Sequence, residues 1–117
     1  MSLKLTLSNE LKCPHCNGVV HDVEVYTCEI THNLGNMAQR IGVYKHFWRQ
    51  EELGIDRAYQ LKLPLRWAID ELTVRRNYYK QFEPSNKWGT VEEFIKWMVD
   101  LLGYCSENPE AKVSTMI

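Results

Sequence analysis

Cys13-Pro14-His15-Cys16 is the stretch of this chain whose residue types and spacing come closest to a known chemistry. A tight turn carrying Cys-x-x-Cys lets two thiolates grip one tetrahedral zinc ion at about 2.3 Å each. Downstream, Cys28-x-x-x-His32 adds two further ligand types, giving Cys-x2-Cys-x11-Cys-x3-His. The four assemble only if the chain between them breaks early, for instance at His21-Asp22. If Val19 to Thr27 is one continuous strand, Cys28 stands roughly 30 Å from the first pair, at about 3.3 Å per residue. His15 and His21 are then the nearer substitutes, or two chains complete one site between them. The plain alternative is a reduced, metal-free thiol pair on a hairpin. The cofactor expectation is a structural zinc held by Cys13 and Cys16, with Cys28 and His32 as the weaker half of the set.

Two polar clusters could hold a ligand. Thr31-His32-Asn33 stands where a long strand meets the first helix, a junction that offers free backbone N–H groups. The simpler reading is that Thr31 or Asn33 caps the helix and His32 packs or bonds a carbonyl. Asn86-Lys87-Trp88-Gly89 sets an amide, a cation and an aromatic face on a loop. Against that, Trp88 can fold back under the loop while Asn86 makes the turn, and this reading is preferred. The ligand-binding candidates are therefore Thr31, His32, Asn33, Asn86 and Trp88, and no residue is assigned as catalytic.

Several functions are excluded by pattern. The chain has no phosphate-cradling glycine loop, no dinucleotide fingerprint, no Gly-x-Ser-x-Gly elbow and no His-Glu-x-x-His. Glu51/Glu52, Asp70/Glu71 and Glu92/Glu93 are adjacent pairs, which a helix turns about 100° apart, so none forms an acid/base couple on one face. Arg75, Arg76, Tyr78, Tyr79 and Lys80 could track a nucleic-acid backbone. With a formal net charge of −1, a solvated helix end is the preferred reading, and nucleic acid is not expected as a partner.

Beyond Val23, most of the chain resembles a family of short proteins from phages and prophage-bearing bacteria. The likeness rests on Val25-Tyr26, on Ile30-Thr31-His32-Asn33-Leu34-Gly35-Asn36-Met37-Ala38, on Gly42-Val43-Tyr44, and on Trp48-Arg49-Gln50-Glu51-Glu52. It continues through Leu61-x-x-Pro64-Leu65, Pro84-Ser85-Asn86-Lys87-Trp88-Gly89 and Cys105-x-x-Asn108-Pro109-x-Ala111-x-Val113. The usual loop of that family reads Asn-Gly-Trp-Gly. Lys87 departs from it, so a role needing a glycine backbone there does not carry over. Some members carry the Cys-Pro-x-Cys knuckle and others lack it, which implies that any metal is a structural accessory. The resemblance implies a phage or prophage setting and no mechanism.

Elements that must position these residues are legible from periodicity. Leu3, Leu5 and Leu7 alternate with polar neighbours, the period of a half-buried strand. Asn17-Gly18 signals a tight turn into a second strand, with Val23, Val25 and Thr27 on one face and Glu24, Tyr26 and Cys28 on the other. Leu34, Met37, Ala38, Ile41 and Trp48 predict a helix over 33–48, weakened at Gly42. Leu61, Leu65, Ala68, Ile69 and Leu72 predict a second helix ending near Val74. Thr90 and Glu93 form a capping box before the regular stripe Val91, Phe94, Ile95, Met98, Leu101, Leu102 and Cys105. Residues 111–117 read as a closing strand.

The expected fold is α+β, in the order β-β-α-α-α-β. A small N-terminal antiparallel hairpin is joined by the C-terminal strand, with about three helices on one face. A chain of 117 residues, 44% of them hydrophobic, suits one domain over 1–117, with a candidate zinc-knuckle hairpin at 11–22. No run of about 18 apolar residues is present, and no leader pattern, so the expected location is cytoplasmic. The leading expectation is a non-enzymatic phage or prophage accessory or binding protein with a protein or small-molecule partner. Its rivals are a small enzyme, such as a hydrolase of nucleotide-type ligands using His32, and a zinc-knuckle nucleic-acid-binding protein.

Overall fold

The computed structural model describes residues 2–12, 15, 18–85 and 89–116. Three strands, β1 (Ser2–Lys12), β2 (Val19–Thr31) and β3 (Lys112–Met116), form an antiparallel sheet in the order β2-β1-β3. The chain terminus thus returns to the N-terminal hairpin, and the fold is α+β. Between β2 and β3 lie α1 (Gly35–Ile41), α2 (Tyr44–Trp48), α3 (Lys62–Val74), α4 (Arg76–Tyr79) and α5 (Val91–Glu107), with short 3-10 turns joining them.

Register decides which face of β2 turns inward. Leu3 pairs with Ile30, Leu5 with Cys28 and Leu7 with Tyr26, and all three leucines are fully buried. Side chains directly opposite each other share a face. Tyr26, Cys28 and Ile30 therefore join the core side. The register shifts between Leu7 and Ser8, and Val23, opposite Asn9 on the arm beyond β3, is left 37% exposed. Leu7 also pairs with Val113 of β3, which brings the last strand onto the same layer. On the opposite face Thr6 and Thr27 exchange a hydroxyl hydrogen bond at 3.1 Å.

The helix expected over 33–48 is two helices. Gly42 takes φ 94°, donates its N–H to the Ala38 and Gln39 carbonyls, and so closes α1 as a left-handed C-cap. The new direction carries Phe47 and Trp48 into the core. At α5 the Thr90 half of the capping box forms, its hydroxyl accepting from the Glu93 N–H at 3.1 Å. Glu83, on the preceding loop, accepts from the Val91 N–H at 2.8 Å, a partner that no local pattern indicated.

Buried apolar side chains make one continuous cluster from the sheet through α5. Its centre is aromatic: Phe47 meets the Trp97 ring edge-on, centroids 5.1 Å apart at 86°, and Phe94 at 6.4 Å and 71°. The molecule is nevertheless long, 56 × 27 × 23 Å with a radius of gyration of 15.4 Å. A compact chain of this length would have a radius near ~13 Å. The extra length is the hairpin arm, because β3 pairs with β1 only from Lys4 to Ser8 and leaves Asn9 onward in a two-stranded ribbon. Glu10 and Arg57 (3.9 Å) and Asn9 and Asn108 (3.4 Å) brace the ribbon where it leaves the body.

Burial pushes the Cys28 thiol from 9.0 up to about 11. Burial, with the neighbouring Cys28 adding to it, pushes Cys105 up to about 12. A raised thiol pKa means that the folded chain holds the proton more tightly than the unfolded one. The resulting stability is complete below pH 9 and drains away as pH climbs through 11 to 12. A series of denaturant melts between pH 8 and 11 should therefore show an alkaline decline that is shallower in Cys105→Ala than in the parent. Equal slopes would refute it.

Candidate functional site

Thr31 ends β2 in extended geometry, and its hydroxyl accepts from the Asn33 N–H at 3.3 Å. This is the local cap that the sequence indicates. It starts a 3-10 turn, His32–Leu34, which buries Leu34 and points Asn33 to solvent. His32 is fixed by a distant residue. The Trp48 indole N–H donates to His32 Nδ1 at 2.9 Å.

That bond sets the tautomer. An indole N–H can only donate, so Nδ1 must present its lone pair and the proton of the neutral ring sits on Nε2. Nε2 is shielded from solvent and has no hydrogen-bond partner among the described residues. A buried donor without a partner costs about 1–3 kcal/mol, which an incoming acceptor would recover. Trp48 is held in turn by Tyr44, stacked on it at 5.2 Å and 4°. Tyr44 lies along Gly35, where an added Cβ would stand 3.5 Å from its ring.

Gly89 closes the cluster. Its φ is 113°, and a Cβ there would meet Leu34 Cγ at 3.0 Å and Thr31 Cγ2 at 3.1 Å. The backbone at the end of the Asn86–Gly89 segment thus lies directly on the Thr31–Leu34 turn. Asn86 and Trp88, like Lys87, lie outside the described residues. Of the ligand-binding candidates, Thr31 meets Gly89, His32 follows it in the turn and is held by Trp48, and the Asn33 side chain is exposed. Sequence reasoning missed Trp48 and Tyr44 as members of the site. Both fall on an apolar helical pattern, and nothing local marks a tryptophan as the partner of a histidine 16 residues earlier.

Beside the seam, and sharing Tyr44 with it, is a shallow cavity of about 350 Å³ lined by Gln39, Gly42, Tyr44, Lys45, His46 and Leu53. Burial lowers the His46 pKa below the ordinary imidazole value, so this ring is neutral at pH 7. Its Nδ1 is buried and has no hydrogen-bond partner among the described residues.

The metal expectation meets an unbroken strand. Cys28 pairs with Leu5 and Val19 with Lys12, so about 23 Å of ribbon separates Cys28 from Lys12 at ~3.3 Å per residue. Cys28 faces the core, 3.8 Å from the Leu5 carbonyl, with its thiol protonated by burial. His32 has its Nδ1 occupied by Trp48. Cys28 and His32 are therefore poorly placed to complete a knuckle site, because β2 continues as one strand from Val19 to Thr31 and carries them to its far end. Cys13 and Cys16 lie outside the described residues, and among the described residues no group of three metal-ligating side chains occurs.

The basic stretch is largely neutralised. Arg75 pairs with Glu71 at 3.0 Å and stacks on Tyr78 at 4.6 Å, and Glu92 receives Arg76 at 4.0 Å and Lys80 at 3.6 Å. Among the described residues no helix is long and apolar enough to cross a membrane. No protein-family model matches the chain, and no curated protein or solved structure is found similar to it.

Proposed function

We propose that this chain is a non-enzymatic binding protein that takes a hydrogen-bond acceptor of its ligand at His32 Nε2. The carrying observation is the Trp48–His32 bond, which leaves Nε2–H as a fixed donor without a partner among the described residues, one residue along the turn from the Thr31–Gly89 contact. The ligand is a small molecule or a protein segment that presents a carbonyl or carboxylate there. The same bond weighs against the hydrolase reading. A general base needs a free imidazole lone pair, and here one nitrogen accepts from Trp48 while the other carries the proton. The pairing of Arg75 with Glu71, and of Arg76 and Lys80 with the shared Glu92, weighs against the nucleic-acid reading. The phage or prophage setting comes from the resemblance of the Thr31–Ala38 and Asn86–Gly89 stretches. A structural zinc at Cys13 and Cys16 remains compatible with it, and elemental analysis beside a Cys13→Ser control tests that part.

Histidine-labelled protein titrated with acetate, N-methylacetamide, inorganic phosphate and adenosine monophosphate tests the site. The expected result is a shift of the His32 Nε2 resonance, with amide shifts confined to residues 31–35 and Gly89. Trp48→Phe frees the tautomer and should abolish the response. The reading fails if no probe moves these signals at millimolar concentration, or if Trp48→Phe responds like the parent.

A further inference from the structure

On α3 the sequence and the structure disagree about what a helix face should look like. Leu65, Ala68 and Leu72 are fully buried, as the apolar periodicity demands. Leu63, Trp67 and Val74 are apolar too, yet they are 77%, 53% and 83% exposed. At 100° per residue these three and Asp70 fall within roughly 60° of arc, directly opposite the buried stripe. The helix is apolar on both sides, and its own core uses one of them. Tyr59, 51% exposed, and Tyr78, 47% exposed, belong to the short elements just before and just after α3.

We propose that this face is the interface of a two-fold symmetric dimer, with α3 of one copy packed antiparallel on α3 of a second. Positions 63, 67, 70 and 74 are spaced by four, three and four residues, the spacing of an a/d seam. That pattern is symmetric about its own midpoint. An antiparallel copy sets Leu63 against Val74 of the second copy and Trp67 against Asp70 of the second copy, each twice, as an isologous contact requires.

The polar groups of the face agree with this pairing. The side chains of Arg66, Trp67 and Asp70 form no hydrogen bond or ion pair among the described residues, although Arg66 and Asp70 sit one turn apart. Across the axis the Trp67 indole N–H meets the carboxylate of Asp70, and Arg66 approaches the same carboxylate. The charges are self-complementary. The apolar area also suits a dimer. A half-exposed aromatic ring offers on the order of 100 Å². With Leu63 and Val74 the face falls within the ~300–600 Å² of the largest monomer patches, and its polar rim extends it toward the ~800 Å² per partner of a stable interface.

Sedimentation of the full chain across 1–200 µM decides the matter, the range being chosen to bracket a micromolar dimer. The expected result is a monomer–dimer equilibrium whose dissociation constant rises about 30-fold or more in Leu63→Asp and in Val74→Asp, the loss expected for a central anchor. Both sites face solvent in the single chain, so far-UV dichroism and melting temperature should stay near the parent values. Register has its own test. Leu63→Cys/Val74→Cys should crosslink between chains under mild oxidation, whereas Leu63→Cys alone should stay at the level of the parent. A chain that remains monomeric at 200 µM overturns the proposal, as does a dimer indifferent to both aspartates.

Discussion

Phe47→Ala is expected to remove about 3–5 kcal/mol of folding stability, the usual cost of deleting a fully buried aromatic ring. Phe47 is wholly buried and sits edge-on to Trp97, Phe94 and Trp48 at centroid distances of 5.1, 6.4 and 6.4 Å. Those three rings belong to α2 and α5, so no single neighbour can move in to fill the hole. Edge-to-face geometry adds about 0.5–1.5 kcal/mol per pair beyond the area buried. Domains of this size are stable by about 5–15 kcal/mol, so the variant should be largely unfolded at modest urea. Chemical denaturation followed by tryptophan fluorescence measures it, with Val99→Ala, half-exposed on α5, as a control expected to stay within about 0.5 kcal/mol. A loss under 1 kcal/mol would mean that Phe47 does not hold the centre of the core.

Gly89→Val is the second large effect, expected at about 2–4 kcal/mol, because two independent costs add at one residue. The backbone stands at φ 113°, a region that β-branched side chains avoid. A Cβ would also press on Leu34 and Thr31 at 3.0–3.1 Å, closer than packed carbons approach, and overpacking a tight contact costs about 1–3 kcal/mol. Gly54 separates the two costs. It too has a positive φ, 68°, but a Cβ there would find nothing within 4 Å. Gly54→Ala should therefore carry only the conformational cost, about 1 kcal/mol. Thermal melts of the two variants test the comparison. If Gly89→Val proves as mild as Gly54→Ala, the Thr31–Leu34 turn and Gly89 are not in contact, and the seam behind the proposed site is lost.

Elements whose signal repeats within a few residues were legible. Leu3, Leu5 and Leu7 alternate and lie buried on one face of β1; Val91, Phe94, Met98, Leu101 and Cys105 recur at helical spacing and lie buried on α5. Thr31 and Thr90 cap the turns that follow them, since a cap is a bond to the second or third residue on. The break at Gly42 was only half legible: composition marks a weak point, and whether the helix bends or stops there depends on where Phe47 and Trp48 find rings to pack against. The site was less legible still. Thr31 and His32 stood out by type, but their partners Trp48 and Gly89 lie 16 and 58 positions away from Thr31-His32 or its neighbours in the fold.

By itself, then, the sequence determined strand, helix and cap, because each of those rests on spacings of two to four residues. Tertiary structure alone decided that Tyr26 and Cys28 face inward while Val23 lies exposed on the arm, that β3 pairs with β1, and that a tryptophan on α2 sets the proton of His32. Local periodicity is a property of the chain and can be read along it. Which of two apolar faces is buried, and which distant donor meets a buried acceptor, depends on how the layers close over one another.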